Sequence, residues 1–134
     1  MILRRFARWW RDWRKAPSLG DRGERAAVSY LRREGATILA RGLRRGELDI
    51  VALDGDTIVF VEVKTRASSS AGEPADAVDN HKQARVTRAA QRFLKRHRLT
   101  GRRARFDVIA ILWPASVRRP QIEHYRNAFP AIGD

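Results

Sequence analysis

Cysteine is absent from this chain of 134 residues. Without it there is no disulfide framework, no thiol nucleophile and no thiolate metal site. The absence agrees with a reducing cytoplasm, the expected location. Long apolar runs are also lacking, and no stretch approaches the ~20 residues of a membrane span. The three histidines, His81, His97 and His124, do not have zinc-ligand spacing. Ser68, Ser69 and Ser70 have no base arranged beside them. Acids are few relative to bases, 15 against 28, which leaves a net charge of +13. The length suits one domain, and a hydrophobic share of 43% provides for a core.

Arginine dominates the excess charge. It makes planar, bidentate contacts to phosphate, whereas lysine acts more as a point charge. The functional reading is a polyanion partner, most simply nucleic acid. The bland reading is a solvated, arginine-rich surface.

Residues 1–17 differ from the rest and form a basic extension ahead of an expected α/β domain at 18–134. Ile2, Leu3, Phe6, Trp9, Trp10 and Trp13 recur at helical spacing between Arg4, Arg5, Arg8, Arg11, Arg14 and Lys15. Such a helix suits a membrane surface, base stacking, or docking on the fold or on a neighbouring chain. No uncharged signal-peptide core is present.

The pattern then predicts a helix over Leu19–Glu34, capped by Ser18 or Asp21 and stopped at Gly35. A short strand is expected at Ala36–Ala40 and a basic loop at Arg41–Gly46. Two apolar runs around Asp54-Gly55-Asp56 predict a hairpin. A loop at Ala67–Pro74, a helix at Asp76–His97, a buried strand at Phe106–Trp113 and an edge strand at Gln121–Tyr125 complete the order. Asp107 inside the buried strand calls for a partner such as Arg105. The alternation implies a mixed sheet flanked by helices.

The chemistry concentrates on the hairpin. Glu62 and Lys64, two residues apart in Thr57–Thr65, share one strand face. Asp49 interrupts the facing apolar run. If Leu53 pairs with Asp56, or a glycine bulge at Gly55 does the same work, Asp49 pairs with Phe60. It then lies diagonally beside Glu62, roughly 7–8 Å away. A one-residue slip would put Asp49 on the other face. Two carboxylates suit Mg²⁺, which prefers oxygen ligands, and the Val63 carbonyl is a third candidate. Lys64 on the same face would orient or deprotonate water, or steady the phosphorus. The bland reading is a surface ion pair worth ~0–1 kcal/mol. Two charges ending an apolar strand, with an acid at matching height, favour the site.

Gly23-Glu24, Gly46-Glu47-Leu48-Asp49-Ile50, Phe60-Val61-Glu62-Val63-Lys64-Thr65-Arg66, Lys82 and Arg105-Phe106-Asp107-Val108 resemble the YraN family of small bacterial proteins. That family is similar to the restriction-endonuclease-like, PD-(D/E)xK superfamily and to Holliday-junction resolvases. The resemblance runs from about Leu19 to Phe129. It implies a restriction-endonuclease-like sheet, metal-binding acids at Asp49 and Glu62, and a catalytic lysine at Lys64. It also brings Glu24, otherwise a first-turn acid favoured by the helix dipole, towards the metal site, and Lys82 and Gln83 near it. One departure is Arg41-Gly42, where relatives show Arg-Asn.

The reading is a Mg²⁺- or Mn²⁺-dependent endonuclease acting on DNA, branched DNA included. Asp49, Glu62 and Val63 are the expected metal ligands, and Glu24, Asp49, Glu62 and Lys64 the catalytic group. Arg41, Arg44, Arg45, Arg66, Lys82 and Arg85 are the expected phosphate contacts. No small-molecule cofactor is expected, and a homodimer is expected by resemblance. The rivals are a non-catalytic nucleic-acid-binding module of the same fold and a membrane-surface or partner-docking role for residues 1–15.

Overall fold

Ser18 opens the first helix. Its hydroxyl accepts the Asp21 N–H at 3.1 Å, satisfying one donor that the helix start leaves over, and α1 runs Leu19–Arg33. The helix stops where Gly35 takes φ +95°. The Ala36 and Gly35 amides then return to the Leu31 and Arg32 carbonyls, at 2.9 and 3.1 Å. This closure needs a left-handed residue, which glycine supplies without Cβ strain. There follow β1 (Thr37–Arg41), β2 (Ile50–Asp54), β3 (Thr57–Arg66), α2 (Asn80–Arg96), β4 (Ala104–Leu112) and β5 (Gln121–Phe129). The computed structural model describes residues 18–42, 48–68 and 79–131. The N-terminal segment, Arg44, Arg45, Glu47 and Val78 therefore lie outside the described residues.

The sheet is open, with order β1-β2-β3-β4-β5. Neighbours are antiparallel except β3 and β4, which run parallel. A parallel pair needs a long crossover, and α2 lies within it. The chain thus adopts the expected α/β class, a mixed sheet flanked by helices. On one face, Ala27, Val28 and Leu31 of α1 pack on Ile50, Ala52, Val59, Val61, Ile109 and Ile111. On the other, Val86, Ala89 and Ala90 of α2 cover Val51, Ile58, Phe60, Phe106 and Val108. Odd and even positions of β3 thus serve different helices, as strand alternation requires.

The hairpin corrects the expected register. Asp54 pairs with Thr57 and Leu53 with Ile58, so the loop is Gly55-Asp56 rather than Asp54-Gly55. Gly55 sits at φ +61°, at the first loop position, where a type II′ turn places glycine. The shift is two residues. Continued one step past Ile50↔Val61, beyond the end of β2, this register keeps Asp49 on the Glu62 face and moves it from the diagonal to the level of Glu62.

One contact seats α1 on the far end of β3. A Cβ at Gly23 would fall 1.8 Å from Thr65 Oγ1 and 2.8 Å from Thr65 Cβ. Turning the threonine cannot relieve a clash with its own Cβ, so only glycine allows the helix this close.

Candidate active site

The end of β3 is an edge where one neighbour has stopped. Ile58 N–H bonds the Arg103 carbonyl, and Trp113 N–H bonds the Arg66 carbonyl, each at 2.8 Å. In a parallel ladder alternate residues serve one neighbour. Even positions from Ile58 to Arg66 therefore bond to β4, and Val59, Val61 and Val63 turn their backbone towards β2. Beyond Ile50 there is no β2 strand left to meet Val63. The Asp49 side chain fills that place: its Oδ2 accepts the Val63 N–H at 2.8 Å. The Val63 carbonyl shares the same edge. A sheet bond is thus replaced by a carboxylate, which anchors Asp49 beside the next residue of interest.

That residue is Glu62, only 5% exposed. Burial pushes its carboxyl above the usual range, and repulsion from Asp49 adds to the shift. Two cations oppose it. Lys82 Nζ, from the first turn of α2, lies 2.5 Å from Glu62 Oε1, and Lys64 Nζ lies 3.7 Å from the same oxygen. Burial, then the nearby Lys82, lowers the Lys64 pKa. Burial also acts against the charged form of Lys82, but its bond to Glu62 and the charges of Glu62 and Asp49 leave it raised. Two acids and two lysines therefore share one partly buried patch, and the acids repel each other. Such a patch favours cations at its oxygens and anions near its ammonium groups.

The structure brings together Asp49, Glu62, Val63, Lys64 and Lys82. Lys82, expected as a phosphate contact and, by the resemblance, near the site, pairs with Glu62. Arg66 follows Lys64 on the same face, and its buried Nε has no hydrogen-bond partner among the described residues. Arg85 is exposed one turn beyond Lys82. Glu24 is not drawn into the carboxylate pair. Its Oε1 lies 3.8 Å from Arg41 Nε, because α1 covers the opposite face of the sheet. Among the described residues no three acid or histidine side chains gather to hold a metal. What the patch could offer a cation is the Asp49 and Glu62 carboxylates and the Val63 carbonyl. That fits Mg²⁺, which commonly takes one or two protein carboxylates and completes its shell with water and phosphate.

A second polar cluster lies on the α1 face. Asp107, with 0% exposure, accepts from Arg105 Nε at 3.0 Å and from the Asn127 N–H at 2.9 Å. Its Oδ2 also lies 2.7 Å from His124 Nε2. Tyr30 Oη reaches His124 Nδ1 at 3.0 Å, and Arg105 extends to Asp54 at 2.9 Å. Arg105 was the expected partner of Asp107. His124 was not, since 17 residues of separation and a strand pairing leave no local signal. Every oxygen of Asp107 is spent on holding β4, β5 and the hairpin together, which marks it as structural.

The chain matches the uncharacterised protein family UPF0102 over residues 23–111, a stretch that contains Glu24, Asp49, Glu62, Lys64 and Lys82. A UPF0102 protein of Rhodopirellula baltica is 48% identical, with 96% of this chain and 83% of the relative aligned. One from Geobacter metallireducens is 52% identical over 84% of this chain and 92% of its own length. One from Pelotomaculum thermopropionicum is 42% identical over 83% and 94%. Among the described residues no helix is long and apolar enough to cross a membrane.

Proposed function

The chain belongs to the UPF0102 family, whose description names no activity, and from its site we propose that it is a metal-dependent nuclease cutting phosphodiester bonds of DNA. The carrying observation is the Asp49 carboxylate, which accepts the Val63 N–H at 2.8 Å and lies close enough to the buried Glu62 for its charge to raise that carboxyl's pKa. Asp49, Glu62 and the Val63 carbonyl would hold Mg²⁺ or Mn²⁺. A divalent cation supplies neutralisation of phosphate charge and acidification of water.

The remaining work belongs to side chains of the chain. Lys64, with its lowered pKa, takes or positions the proton of the attacking water. Lys82, ion-paired to Glu62, holds that carboxylate in place and adds positive charge where phosphate oxygens gain negative charge. Arg66, whose Nε has no partner among the described residues, offers a planar donor to the phosphate. The net charge of +13 draws a polyanion to the site. The restriction-endonuclease-like resemblance supports the same reading through its acid, acid and lysine on one hairpin.

The test is incubation of the protein with linear, flapped and four-way-junction DNA, with Mg²⁺ or Mn²⁺ and with chelator. Cation-dependent strand cleavage is the expected result. Salt-sensitive binding that ignores the chelator and gives no product would instead make the protein a binding module.

A further inference from the structure

An open groove of about 540 Å³ lies between α1 and the β4–β5 connection, lined by Ala26, Ser29, Arg33, Arg119, Pro120 and Ile122. No acid lines it. We propose that this groove carries the phosphate backbone of a nucleic-acid strand that passes from the Lys64–Arg66 end of β3 along α1. The proposal rests on the nucleic-acid reading of the site but not on catalysis.

Three observations point the same way. Arg22, Ala26, Ser29 and Arg33 are spaced by four, three and four residues, so they form a single stripe of α1. At 1.5 Å per residue that stripe is roughly 16 Å long, a distance that four or five steps of a duplex strand cover along its axis. At one end the stripe is fixed in place: the Arg22 guanidinium stands 4.1 Å over the Trp113 ring. A cation held this way loses little further freedom on meeting phosphate. At that same end Trp113 N–H bonds the Arg66 carbonyl at 2.8 Å. The stripe therefore begins at the end of the sheet where β3 carries Lys64 and Arg66, whose side chains lie on the opposite face, so a strand reaches both by passing round that end.

Charge selects the occupant. The Trp- and Arg-rich segment at residues 1–15 precedes α1 but is itself basic, and a cationic groove repels it. A second copy brings a further +13. The two guanidinium groups lining it, Arg33 on α1 and Arg119 on the β4–β5 connection, suit a phosphodiester strand, and a sheet end shared with the proposed phosphate site favours nucleic acid over an acidic peptide.

The experiment is fluorescence anisotropy with labelled DNA in chelator across a salt titration. Arg33→Glu/Arg119→Glu is compared with Arg102→Glu/Arg103→Glu, an equal charge change at exposed positions by the opposite end of β4. The neutral pair Arg33→Gln/Arg119→Gln guards against a folding defect. The groove pair is expected to weaken binding at least ~10-fold and to lower the salt slope by about 2. The control pair should change affinity under ~3-fold, and the glutamine pair should fall between. Equal weakening by both charge-reversed pairs, or none by the groove pair, overturns the groove; so does groove-dependent capture of an acidic polypeptide but not DNA. Wild type that ignores DNA ends both readings. Cation-dependent cleavage with groove variants binding as wild type ends the groove alone. Groove-dependent binding without cleavage upholds the groove and ends the hydrolytic reading.

Discussion

Replacing Lys64 with alanine is expected to lower cation-dependent DNA cleavage about 10²–10⁴-fold, with Asp49→Ala lowering it at least as much. The two losses arise differently. Without Lys64 the Glu62 carboxylate keeps its Lys82 partner at 2.5 Å, so the acid pair stays in place and only the proton-handling ammonium is gone. Without Asp49 the Val63 N–H loses its acceptor and the cation loses one of two carboxylates. Single-turnover cleavage of a labelled substrate measures both. Affinity for DNA in chelator should fall less than ~3-fold in either variant, since phosphate contacts are spread over many arginines. Unchanged cleavage in both variants would refute the assignment.

The second large effect concerns stability. Asp107→Asn is expected to cost about 3–5 kcal/mol at pH 7, the range found when one partner of a buried charge network is removed. The residue is fully buried, and its oxygens serve Arg105, His124 and the Asn127 amide. The pH dependence follows from its titration. Burial by itself would push the carboxyl up, but the bonds from His124, Arg105 and the Asn127 amide outweigh it and hold the pKa below the ordinary 3.8. A folded-state value below the unfolded one stabilises the fold above the unfolded pKa, and that contribution disappears as pH falls through the folded value. The gap between wild type and Asp107→Asn should therefore be full at pH 7 and pH 5 and shrink below about pH 4. Urea denaturation at three pH values reads it. A gap that is small at pH 7, or constant down to pH 2.5, would contradict this role.

The site was legible in the sequence because strand parity carries it. Glu62 and Lys64 share a face at any register, and Asp49 joins them for every even shift. The expected register was wrong by two, so the face survived and the neighbour relation changed. What misled was the turn: Asp-Gly looked like the loop, while the positive φ of Gly55 needed glycine one place earlier in a Gly55-Asp56 loop. The central position of Lys82 was not legible from periodicity. It depends on how α2 returns over the sheet after the parallel crossover, a tertiary relation. Glu24 is a different case: only the family resemblance implies a place near the metal for it, and in the fold its helix covers the other face, where Arg41 meets it.

The last strand was read short for a physical reason. Arg126 and Asn127 look like loop residues, yet β5 continues past Tyr125 to Phe129. Asn127 takes φ +52° at an irregularity in the β4–β5 register, and the Asp107 carboxylate satisfies its amide. A buried acid on one strand thus extends its neighbour, and a single-strand pattern contains no trace of that.

The central claim is that Asp49 and Glu62 hold one divalent cation between them, with Lys64 beside it. Crystals soaked in Mn²⁺ and measured for anomalous scattering test it most directly. One peak about 2.1 Å from a carboxylate oxygen of each residue is expected, with Lys82 drawn off Glu62 Oε1. A map with no peak there, and Lys82 still paired to Glu62, would contradict it.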